Sequence, residues 1–88
     1  MSSADAIAKG RIAGAYLDLA GHPGQFASIR ELREALPGVD LDAILIRMYC
    51  AGEVNLIPES AQQTLSEADR RAAVRCGGED KHWMSWED

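Results

Sequence analysis

At 88 residues the chain is long enough for one hydrophobic core and too short for two, so it is expected to form a single domain over residues 1–88. Its 47% hydrophobic and 26% charged residues, with three prolines, exclude a disordered or fibrous chain. A net charge of −5 argues against a protein that coats nucleic acid through bulk electrostatics, because phosphate affinity comes mainly from lysine and arginine.

The first twenty residues are interrupted by Asp5, Lys9, Arg11 and Asp18, which does not fit a signal peptide. No run approaches the roughly 18 apolar residues of a membrane span, so the expected compartment is the cytoplasm. Ser2 or Ser3 is placed to cap a first helix running to about Ala20, with Ala8, Ile12, Ala15, Tyr16 and Leu19 recurring along one face. Gly21 ends it, and Pro23 lies just beyond. Gly10, Ala13 and Gly14 lower helix propensity and are read as permitting close approach of another helix.

Phe26 and Ala27 form a short extended lead-in, and Ser28-Ile29-Arg30-Glu31 has the spacing of a capping box. The second helix that follows offers Ile29, Leu32, Ala35 and Leu36 to the core and breaks at Pro37-Gly38. Asp40 then caps a third helix, in which Leu41, Ile44, Leu45 and Met48 repeat at helical spacing until Gly52 stops it. Glu53 to Ile57 alternates as a strand does, and Pro58 confines it to an edge. Ser66-Glu67-Ala68-Asp69 opens a short helix expected to reach about Arg75, where Cys76-Gly77-Gly78 stops it. His82 to Trp86 reads as a returning strand that pairs with Val54 to Ile57.

Three stretches, FASIRELREAL, LDAILIRMYCAGEVNLI and the closing HWMSW, follow one another as helix, turn, helix, strand and returning strand. In this they resemble the winged-helix superfamily, the helix-turn-helix variant with a β-hairpin wing. The resemblance implies an α+β, mostly helical fold: a three-helix core, a two- or three-stranded antiparallel β-hairpin, and here a short extra helix inserted in the wing. The superfamily contains DNA-binding regulators and modules that bind only protein, and fold alone does not choose between them.

In a DNA-reading member the third helix enters the major groove. With its apolar stripe turned inward, stepping round at about 3.6 residues per turn places Ala43, Ile46 and Cys50 outward, flanked by Asp42 and Arg47. Of these only Arg47 suits a base or phosphate, whereas an apolar patch rimmed by charge suits a protein partner or a second copy of the chain. Asp42, Ala43, Ile46, Arg47 and Cys50 are therefore the expected protein-contact residues. The alternative, a DNA-binding regulator, would use Arg47 with Arg70, Arg71, Arg75 and Lys81, the last four drawn from a segment in which four bases sit among four acids. Arg71 and Arg75 are expected to share a helix face.

Nothing points to catalysis, to a metal or cofactor, or to a small-molecule ligand. His22 and His82 are not assignable to a Ser-His-Asp or Cys-His arrangement. Cys50 and Cys76 have no partners at metal-ligand spacing and are read as free thiols. Trp83 and Trp86, three apart on a strand, are expected on opposite faces, one in the core and one exposed.

Overall fold

The computed structural model of the protein describes residues 3–87, with the side chains of residues 6–87. It is an α+β fold whose long first helix α1, Ser3–Ala20, is followed by strand β1, Phe26–Ser28, helix α2, Ile29–Ala35, and helix α3, Leu41–Cys50. Strand β2, Asn55–Ile57, leads through a 3-10 turn at Gln62–Thr64 into helix α4, Glu67–Ala72. A hairpin of β3, Val74–Cys76, and β4, Glu79–Lys81, precedes the last strand β5, Trp83–Ser85.

Two antiparallel sheets result. The larger has the order β1-β5-β2, so the returning strand does pair with the segment after α3, and it pairs on its other side with the lead-in to α2. Ala27, Met84 and Leu56 lie opposite one another across the three strands. All three are at most 2% exposed, because alternate side chains of a strand share a face and this face is laid on the helices. Ile12 and Tyr16 from α1, Ile29 and Leu32 from α2, and Leu41, Leu45 and Met48 from α3 complete the core beneath it.

Capping chemistry sets the helix ends. Ser28 Oγ accepts from the Glu31 N–H at 3.4 Å, and Asp40 Oδ1 accepts from the Ala43 N–H at 3.4 Å. The box at α4 is complete, since Ser66 Oγ accepts from the Asp69 N–H while Asp69 Oδ2 accepts from the Ser66 N–H. At the end of α3, Gly52 at φ +76° turns the chain so that the Glu53 and Gly52 N–H groups bond the carbonyls of Met48 and Tyr49. That is a Schellman closure, which aims the chain straight into buried Val54 and β2. The cap expected at Ser2 or Ser3 lies outside the described side chains.

Several expectations are corrected. On α1, Leu19 is 38% exposed and belongs to solvent, as does Ala35 on α2. Gly10 and Gly14 have nothing within 4 Å of where a Cβ would stand, so no helix of this chain approaches them. Helix α4 ends at Ala72, three residues before Arg75, and Gly77-Gly78 is the turn of a hairpin. Both glycines have positive φ, as a type I′ two-residue loop requires. Trp83 and Trp86 are not a core and solvent pair. Each is half-buried, and Trp86 lies past the strand, packed on the core with its carbonyl accepting from the Gly24 N–H.

Candidate interaction surface

The third helix has three kinds of surface. Its inner stripe, Leu41, Ile44, Leu45 and Met48, is buried as expected. One flank is covered by the segment between β2 and β5. Helix α3 packs against β3, Val74 is fully buried, and the Lys81 ammonium sits 5.6 Å from the centre of the Tyr49 ring. On the same flank Asp42 accepts from Arg33 at 2.6 Å, and the Arg33 guanidinium also donates to the Ala72 carbonyl at 2.7 Å. One side chain of α2 thereby ties α3 to the end of α4.

Two of the expected contact residues are altered by this arrangement. Ile46, placed outward by stepping round the helix, is half-buried and packs against the core cluster. Asp42 is exposed but already engaged with Arg33. What faces solvent is Ala43, half-buried, together with exposed Arg47 and Cys50. Ala43 and Arg47 border an open groove of about 470 Å3 between α3 and α1, whose far wall is Ile7 and Arg11. Ile7 is 67% exposed, more than any other large apolar side chain among the described residues.

The cations expected on a DNA-binding wing are occupied within the fold. Arg71 pairs with Glu67 at 3.5 Å, and Arg75 pairs with Asp80 at 3.3 Å across the hairpin. Arg70 donates to the Gln62 carbonyl at 2.7 Å. Lys81 is only 6% exposed and donates to Glu79, which raises its pKa, so its ammonium faces the hairpin and Tyr49 rather than an approaching duplex. Arg71 and Arg75 do not share a helix, since the first ends α4 and the second lies on β3. The hairpin was the element missed by reading Cys76-Gly77-Gly78 as a helix stop. The available signal was the Gly-Gly pair itself, a two-residue hairpin loop, preceded by the strand former Val74 but followed by the charged Glu79-Asp80-Lys81, which gives no strand signal.

A second polar cluster gathers where β1 runs into α2, beside the start of β5 and the chain that follows β2. Arg30 Nε donates to Asp69 at 2.6 Å, and its outer nitrogen donates to Glu34. The backbone N–H of Ser66, and then Arg30, hold the Asp69 carboxyl down at about 2. Glu59 accepts from the Ala61 N–H at 3.1 Å and from the Trp83 indole N–H at 2.9 Å, and these donors lower its pKa. His82, 7% exposed, accepts at Nδ1 from the Glu59 N–H at 3.0 Å. Sequence reasoning did not assign this cluster, because its members come from four separate stretches of chain.

No protein-family model, no curated protein and no solved structure matches this chain. Among the described residues no group of three or more His, Cys, Asp or Glu side chains is placed to hold a metal ion. No described helix is long and apolar enough to cross a membrane.

Proposed function

We propose that the chain is a non-enzymatic, winged-helix-like regulatory module that contacts a protein, or a second copy of itself, through the solvent-facing side of α3. The strand order β1-β5-β2, with α2 and α3 joined by a tight turn beneath it, supports the winged-helix part of this reading. In its terms, α4 and the β3–β4 hairpin are an enlarged wing folded back along the third helix. The observation that carries the contact surface is the composition of what α3 leaves open. Ala43 and Cys50 stand where a groove reader would carry polar side chains, and exposed Ile7 with Arg11 and Arg47 extends the patch across to α1. Apolar surface rimmed by arginine is the composition enriched at protein interfaces.

The competing reading is a DNA-binding regulator using Arg47 with Arg70, Arg71, Arg75 and Lys81. Its support is weaker, because Arg71, Arg75 and Lys81 are engaged by carboxylates and the chain as a whole carries −5. Sedimentation at increasing protein concentration, together with titration of labelled duplex at low salt, separates the two. The expected result is self-association or partner binding that Ala43→Arg abolishes, without measurable duplex affinity. A monomer that binds duplex with steep salt dependence would overturn the proposal.

A further inference from the structure

The polar cluster around Glu59 encloses a cleft of about 220 Å3, below the roughly 300–1,000 Å3 of small-molecule sites and suited to a single side chain. Its charged walls are three carboxylates, Glu31, Glu59 and Asp69, against one guanidinium, Arg30. Arg30 is already neutralised twice over, by Asp69 and by Glu34. Among the described residues neither Glu31 nor Glu59 has an ion-pair partner. Glu59 remains charged because its two oxygens are held by N–H donors, which satisfy a carboxylate without cancelling its charge. The floor includes the Trp83 indole, whose N–H is spent on Glu59.

His82 supplies the independent observation. Its Nδ1 accepts the Glu59 N–H, so Nε2 is the ring nitrogen left to donate. Among the described residues that Nε2–H has no acceptor, although His82 is only 7% exposed and lines the cleft, and no fully buried side-chain nitrogen or oxygen among them is left unsatisfied. The Nε2–H is therefore open to the cleft. The site presents uncompensated negative charge, an aromatic surface and one fixed donor.

We propose that this cleft receives a lysine or arginine side chain from an extended segment of a partner protein, with a peptide carbonyl of that segment accepting from His82 Nε2–H. A cation answers Glu31 and Glu59 and is attracted by the Trp83 ring, and a carbonyl answers the imidazole. An anion or a hydrocarbon answers neither. The surface shares no residue with the open side of α3, so the two contacts stand or fall separately.

The probe is N-acetyl-lysine methylamide, with N-acetyl-norleucine methylamide as its uncharged counterpart, titrated into 15N-labelled full-length protein at low salt. The Trp83 indole N–H, the Glu59 amide and the His82 ring resonances are expected to shift together and saturably with the lysine compound only. In Glu31→Gln, whose side chain makes no hydrogen bond or ion pair among the described residues, the affinity should fall roughly threefold. No saturable shift, an equal response to norleucine, or an unchanged affinity in Glu31→Gln would each overturn the proposal.

Discussion

Single side chains close this small molecule at points where the backbone alone would not. The Tyr16 hydroxyl is one such point. It donates to the Gln25 carbonyl at 2.5 Å and accepts from the Gly24 N–H at 3.1 Å, so it fixes the turn between α1 and β1 from beneath. Tyr16→Phe is expected to cost about 1 kcal/mol in urea unfolding, since two backbone groups lose a partner while the ring stays in place. Asp69 is another, bonded at once to its own helix start and to Arg30. Its carboxyl titrates at about 2 in the fold against an ordinary 3.8, so its contribution is complete above about pH 4 and is lost as pH falls toward 2. Asp69→Asn should flatten the stability profile in that window and leave its shape near neutrality unchanged. A profile that kept its acid limb would place the sensitivity in another carboxylate.

The elements divide into those that local sequence determines and those that need tertiary partners. The end of α3 was legible because Asp40, the apolar stripe and Gly52 each act within a few residues of the feature they set. Pairing of β2 with β5 was legible from two strand-forming stretches, although the part played by β1 was not, since only Ala27 in that strand is buried and three residues carry little period. The β3–β4 hairpin was missed because Arg71 and Arg75 have helical spacing whether or not a helix joins them. Fold-back of this hairpin also decides how much of α3 is left open, which helical stepping cannot reveal. Gly77→Val, which cannot take positive φ cheaply, should loosen the hairpin and raise solvent access to Tyr49, detectable as increased iodide quenching of tyrosine emission. Gly10 and Gly14 make the opposite prediction. With nothing within 4 Å of either, Gly10→Ala and Gly14→Ala should each stabilise the monomer by about 1 kcal/mol. Failure to do so would mean that another molecule occupies that face.

At the scale of the whole molecule, charge and shape point to different partners on different surfaces. The negative total is not spread evenly, because the cations of the α4–hairpin segment are consumed locally, while among the described residues Glu31 and Glu59 make no ion pair, and Arg11 and Arg47 border the groove between α1 and α3. A fold of this size has little apolar area to spare, so exposed Ile7 and the half-open Ala43 bear on association more than on stability. The cleft was not readable, since its lining residues are spread over more than fifty positions of chain, from Ser28 to Trp83, and meet only when the sheet forms. Raising the salt concentration should therefore weaken association with a basic partner far more than self-association at α3.

The central position of β5 carries a consequence for how the chain is made. Strands β1 and β2 touch each other only through Trp83–Ser85, which leaves the ribosome after both of them. Until Trp83–Ser85 emerges, the helices have no lid, and Ala27 and Leu56 have no Met84 between them. The core therefore closes only once Trp83–Ser85 has been made, and a chain stopped short of Trp83 is left with two open strand edges in place of a sheet.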